Sequence, residues 1–489
     1  MAATTVLFIL AAKSTNIGMQ KTIGRQKEIQ KLNELWSKDR SEFVAVYGRR
    51  RVGKTFLIRN TFRDKLSFLV TGLASASKAQ QLGNFHAELL KRSGEQDIGK
   101  PARDWFGAFR QLIELLEKRD ETGKKVIFLD ELPWLDTRNS GFLSALEHFW
   151  NHWASARTDI LLIVCGSAAS WMLNNIIHNR GGLHNRITER IRLEPFTLRE
   201  CEAYFKEKNA IFDRYQLLQL YMVFGGIPFY LDRVDPASSV TQNINRLCFG
   251  SDGFFRQEYD SLYSSLFSRA ERHYAIVEAL ATKSMGLTRE ELIHLSKLPN
   301  AGSTTRILSE LEESNFIRMY RPFGKNTRNS LYQLVDPYSL FYLKFIREAD
   351  PDDDQFWLNM SENPAFRAWS SYAFEMVCLH HIREIKEALG IAGVQTSVST
   401  WRSREAQIDL LIDRRDHVIN LCEMKFSLDV FTIDKNYADT LRHKIAGFAA
   451  ESKTKKALAL TFISTYGLAR TPYSGLVQKE LTMEALFGR

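Results

Sequence analysis

The apolar run FVAVY at 43–47 stops at Gly48, and an amphipathic pattern starts at Lys54. A short continuous apolar run bounded by turn residues reads as a buried strand, and the spacing after it as a helix. The same signal recurs in VIFL, closing on Asp130 and Glu131, and in ILLIVC, closing on Gly166 and Ser167. From Glu200 to about Tyr263, apolar positions recur at three and four residues, the pattern of packed helices. Three further helical segments follow, AERHYAIVEALATK, LTREELIHLSKL and the one beginning NAGSTTR. The second opens on Thr288 with Glu291 three residues on, the pattern of a capping box. FIRMYRPFGKNTRNSLYQLVD then reads as a β-hairpin. Beyond residue 365 come a long helix carrying Glu375, two strands joined by DRRDH, and a further strand in KKALALTFISTYG. The chain is therefore α/β and multidomain.

Length agrees, because 489 residues exceed one ordinary core and suggest about three domains. A net charge of +9 permits a nucleic-acid partner without requiring one. Five scattered cysteines without a CxxC pair argue against a disulfide framework or structural zinc and for a reducing compartment, the cytoplasm. Residues 1–20 carry a short apolar run with no basic residue before it. They read as a mobile tail, too short to cross a membrane, with Met19 as an alternative start.

Candidate chemistry begins at YGRRRVGKT, which places Gly48, Gly53, Lys54 and Thr55 at GxxxxGK[ST] spacing between a strand and a helix. Glycines let backbone amides turn toward phosphate oxygens, and the helix N-terminus adds positive potential. Arg49, Arg50, Arg51 and Val52 complete the loop and Phe56 follows it. Lys54 is expected on the β and γ phosphates and the Thr55 hydroxyl on Mg²⁺. Asp130 at its strand tip suits the same Mg²⁺, and Glu131 suits polarisation of the attacking water. Ser167 stands where a γ-phosphate sensor would, although serine is also an ordinary turn former there. Arg180, Arg186 and Arg190 are possible arginine fingers.

These segments, with TIGRQKEIQKL at 22–32 and GGIPFYL at 225–231, resemble AAA+-like ATPases of the archaeal type, which also occur in bacteria. The resemblance implies a parallel-sheet ATPase core at 21–200 and a helical lid at 201–263. It places Gly24 and Arg25 near the adenine, Ser167 at the sensor and Pro228 on the lid helix that closes over ATP. Arg186 matches a GRIT-like segment, except that Asn185 stands where glycine is usual.

Residues 264–349 read as a winged helix. Ser303, Thr304, Thr305 and Arg306 would then face a DNA groove, with Lys325 and Arg328 on the wing. Such hydroxyls are equally ordinary helix caps, and such modules also serve as packing contacts.

In AQIDLLIDRRDHVINLCEMKFS, a hairpin would bring Asp409 beside Glu423, with Lys425 on the same face two residues on. Two carboxylates can hold Mg²⁺ or Mn²⁺, and an ammonium can orient the attacking water. The pattern is similar to the PD-(D/E)xK nucleases, which implies a restriction-endonuclease-like domain at 365–489 with Glu375 as the helical acid. Ile408 stands where that motif has proline. The expectation is an ATP-hydrolysing, DNA-associated protein with a metal-dependent nuclease domain, possible self-association and no membrane partner. The alternative is a nucleotide-dependent switch whose nuclease-like domain docks without cutting.

Overall fold

A computed structural model describes residues 22–118, 123–178, 181–267, 269–350, 352–360 and 363–488. The expected tail at 1–20 and Arg180 lie outside these residues.

Strands β1 (Glu42–Tyr47), β2 (Leu66–Thr71), β3 (Lys125–Asp130), β4 (Ile160–Gly166) and β5 (Glu189–Arg192) form a parallel sheet in the order β2-β3-β4-β1-β5. The inner strands β1, β3 and β4 are mainly apolar because both faces are covered, whereas the edge strand β5 (ERIR) buries only Ile191. Val44 and Val46 enter one core while Phe43 and Ala45 enter the other. Register pairs Tyr47 with Gly166 and Leu129 with Val164, so β1, β3 and β4 end along one edge. Gly48, Asp130, Glu131 and Ser167 are gathered there, at the carboxyl ends where such sheets bind ligands.

Helices Leu198–Glu207, Arg214–Phe224, Pro228–Leu231, Val240–Cys248 and Phe254–Leu266 follow. Next come helices Ala270–Ala281, Arg289–Ser296 and Gly302–Glu313, the second opened by a capping box between Thr288 and Glu291. Strands β6 (Leu287–Thr288), β7 (Ile317–Tyr320) and β8 (Leu331–Leu334) add a small sheet in the order β6-β8-β7.

The last sheet contains β9 (Thr396–Arg402), β10 (Gln407–Arg414), β11 (Val418–Lys425), β12 (Ala457–Ser464) and β13 (Lys479–Thr482) in the order β13-β12-β11-β10-β9. The β9-β10-β11 part is antiparallel and the β11-β12-β13 part parallel. Helix Pro364–His380 lies against β11, and helix Lys435–Ser452 buries Leu441 and Phe448 with Trp401, Leu421 and Phe462.

Several contacts bind these parts together. The β7–β8 connection lies on β9, where the Phe323 amide donates to the Thr400 carbonyl at 2.7 Å and the Phe323 ring meets Phe448. Buried His381 donates from Nδ1 to the Val377 carbonyl and accepts at Nε2 from the Leu198 amide at 3.0 Å. Burial depresses His381 to about 4, so the ring is neutral and can accept. Among the described residues, no helix is long and apolar enough to cross a membrane. The five cysteines are free and buried.

Candidate functional site

The loop after β1 turns on Gly48 (φ 139°), Arg51 (φ 73°) and Gly53 (φ 90°), the last capping helix Lys54–Thr61. A side chain at Gly48 would strike the Leu193 carbonyl, so only glycine fits there. Buried Lys54 donates from Nζ to the carbonyls of Gly48 and Arg49 at 2.9 and 2.8 Å, which holds the ammonium over the loop. Burial lowers its pKa. Thr55 Oγ1 donates to Asp130 Oδ2 at 2.9 Å, and Thr71 Oγ1 reaches the same oxygen at 3.4 Å. Burial, then the neighbouring charge of Glu131, raises the Asp130 pKa. A hydroxyl and a carboxylate so placed are the oxygen donors that Mg²⁺ takes beside nucleotide phosphates.

Glu131 occupies the left-handed region (φ 47°), an unusual conformation for this residue type and one that clusters at functional sites. That geometry turns its carboxylate to Ser167, whose Oγ donates to Oε1 at 2.6 Å and whose amide donates to Oε2 at 3.2 Å. Ser167 thus lies against the acid rather than apart from it.

The three loop arginines diverge. Arg49 is buried, ion-paired with Asp336 and stacked over Phe316 at 4.7 Å. Arg51 pairs with Glu258, which also accepts from the Tyr230 hydroxyl, and lies over Phe229 at 4.3 Å. Their side chains are therefore engaged within the protein. They fasten the loop to later parts of the chain. Arg50 is half-buried, and among the described residues no carboxylate lies within ion-pair distance of it.

Arg25 donates from Nη2 to the Val52 carbonyl at 3.2 Å, lies over Phe196, and its amide donates to Glu200 at 3.1 Å. Gly24 packs against the same Glu200, and Pro228 begins its short helix behind Gly225 and Gly226. Val52 is buried and Phe56 exposed. Arg186 is exposed and follows Asn185 at φ 56°, so asparagine supplies the left-handed turn that glycine would.

In the last sheet, the pairing of Leu410 with Cys422 sets Asp409 across from Glu423 one step beyond. Glu423 is buried and accepts from the Tyr437 hydroxyl at 2.6 Å and from Lys444 at 2.7 Å, with Lys425 at 3.4 Å. Burial opposes its charge, but Lys444 and Lys425 outweigh burial and lower its pKa. Asp409 accepts from Gln407, and burial raises its pKa. Among the described residues, no group of three or more His, Cys, Asp or Glu side chains is arranged to hold a metal. Asp409 and Glu423 remain two oxygen donors on adjacent strands, but both oxygens of Glu423 are already bonded. Tyr437 and Lys444 were missed by the sequence reading, although their seven-residue spacing puts them on one helix face.

Glu375 and Asp409 line a small cavity, where burial and then the charge of Asp409 push Glu375 up to about 8. Unfolded, this carboxyl titrates near its ordinary 4.5. Between those values the folded chain holds the extra proton, so stability is expected to fall as pH rises from about 4.5 to 8. Thermal melts across that range should show a shallower fall in Glu375→Gln.

The helix expected to read DNA is partly engaged. Thr304 is buried and donates to the Pro299 carbonyl, Thr305 accepts from Arg289, and Arg306 pairs with Glu310. The helix also packs against Ala169–Met172, just after Ser167. Thr304 therefore does not face a groove, because its buried hydroxyl donates back to the Pro299 carbonyl ahead of the helix.

The family described as an ATPase domain predominantly from Archaea matches residues 23–234. An uncharacterized protein of Methanocaldococcus jannaschii is 25% identical over 430 residues, covering 86% of this chain and 91% of that protein. An uncharacterized ATP-binding protein of the same organism is 35% identical over 48 residues, 10% of this chain and 81% of the relative. Among solved structures, the Walker-type ATPase of Pyrococcus abyssi shows 18% identity and a TM-score of 0.48, over 66% of this chain and 96% of that one. The ORC2 protein of Aeropyrum pernix shows 15% identity and a TM-score of 0.40, over 66% and 94%.

Proposed function

We propose that the chain hydrolyses ATP at the carboxyl edge of β1, β3 and β4, inside the stretch 23–234 that matches the archaeal-type ATPase family, and acts on DNA through its C-terminal half. The observation that carries the first part is the contact chain Thr55–Asp130 beside Glu131–Ser167. Backbone amides of the loop hold the phosphates, and Lys54 exchanges its two carbonyl partners for phosphate oxygens. Thr55 and Asp130 would hold Mg²⁺, which supplies charge neutralisation when bound. Glu131, released from Ser167, orients and deprotonates the attacking water. Phosphate release by the purified chain tests this, and Lys54→Ala should abolish it.

For the C-terminal half, the opposition of Asp409 and Glu423 with Lys425 beside them supports a nuclease-like domain. The two carboxylates would hold a divalent ion once Lys444 leaves Glu423. The expected result is Mn²⁺-dependent nicking of supercoiled plasmid, lost in Lys425→Ala. One observation favours a second reading: both Glu423 oxygens are held by Tyr437 and Lys444. In that reading the domain is a docking surface switched by nucleotide. Intact ATP hydrolysis without nicking, and no Mn²⁺-induced rise in melting temperature relative to Asp409→Ala, would select it.

A further inference from the structure

A groove of about 890 Å³ runs between the three-helix module with its small sheet and the last sheet. Four of its lining residues are cationic, Lys283, Lys325, Arg402 and Arg404, against two acids, Glu291 and Glu451. Both lysine pairings stay open to water, Lys325 with Glu451 at 3.4 Å exposed and Lys283 with Glu291 at 2.7 Å half-buried. An exposed pair is worth little in water, so the Lys325 ammonium in particular is available to a competing anion. Arg402 and Arg404 are exposed, and among the described residues neither has an ion-pair partner.

The groove leads somewhere. Met285 lines both it and the small cavity holding Glu375 and Asp409. On β9, Thr400 borders that cavity and Arg402, two residues on and on the same face, borders the groove. The walls are fastened by the Phe323–Thr400 hydrogen bond and the Phe323–Phe448 contact, so the backbone that carries the cations is set before any ligand arrives.

We infer that this groove, rather than the helix Gly302–Glu313, binds the phosphate backbone of a DNA strand and directs it toward Asp409 and Glu423. The inference rests on the reading of the C-terminal half as DNA-acting. Guanidinium groups suit the role because their planar N–H forks match phosphate oxygens, and the repeated phosphates of one strand can engage several cations along the groove.

The test uses the full chain, a short fluorescein-labelled single-stranded DNA and the duplex of the same sequence, with anisotropy read between about 50 and 200 mM salt. The double reversal Arg402→Glu with Arg404→Glu should weaken single-strand binding on the order of tenfold or more. It should also lower the salt slope by roughly 0.7 for each phosphate that is no longer neutralised. The Lys pair at the same positions should keep most of the binding, and all variants should melt as the wild type does. Binding unchanged by the reversal but abolished by Arg306→Glu would overturn the groove while leaving the DNA reading intact. Wild type that binds neither DNA at any salt would overturn both.

Discussion

Arg49→Ala is expected to lower stability by about 3–5 kcal/mol, the cost of breaking a buried ion pair from one side. Arg49 and Asp336 are both buried, and Asp336 also accepts from the Ser339 amide and hydroxyl at the start of helix Pro337–Phe341. Burial alone would weaken the guanidinium's hold on its proton. The facing Asp336 carboxylate reverses that, so the group stays charged. Removing Arg49 leaves Asp336 a buried carboxylate without its counter-ion. Asp336→Ala should cost a similar amount by leaving unpaired Arg49, whose Nε and Nη2 have no hydrogen-bond partner among the described residues. The double variant should cost clearly less than the sum, because the two residues share one interaction. Urea denaturation of the four proteins measures this, and strict additivity would show that the pair does not act as a unit. The consequence for function is that the phosphate loop is pinned to a helix start 287 residues further on, so loop movement and the C-terminal half are mechanically joined.

What could be read from the chain alone follows from how local each signal is. Strands β1, β3 and β4 were legible because burial on both faces leaves unbroken apolar runs, and Thr288 with Glu291 because a capping box spans three residues, whereas the edge strand β5 (ERIR) carries no such run. The opposition of Asp409 and Glu423 was legible because a strand, a turn and a returning strand account for the interval between them. The partners of Arg49, Arg51 and Arg25 were not. Asp336, Glu258 and Glu200 sit far along the chain, and no periodicity links residues that only tertiary packing brings together. His381 is of the same kind, a neutral acceptor on the Leu198 helix start that looks like any helical histidine. Thr304 misled because a hydroxyl at a helix start suits a groove contact and a local hydrogen bond such as the one to Pro299 equally, and only burial distinguishes them. Lys444 and Tyr437 lay between these extremes: their shared helix face was visible, but its target, Glu423, was not.

The second large effect concerns Glu131. Its left-handed backbone and its two contacts with Ser167 hold the carboxylate at the strand edge beside Asp130 and the loop. Gln preserves size and can still meet the Ser167 hydroxyl, but it cannot take a proton from water. Glu131→Gln is therefore expected to lower kcat for ATP hydrolysis by about 10²–10⁴, the usual contribution of a positioned general base. ATP binding should persist, because Lys54, Thr55 and Asp130 are untouched. The most direct measurement is phosphate release under saturating ATP and Mg²⁺ by wild type and Glu131→Gln, with the ATP-induced rise in melting temperature recorded on the same samples. Equal melting shifts with hydrolysis lost in the variant are the expected result. Equal hydrolysis in both proteins would contradict it.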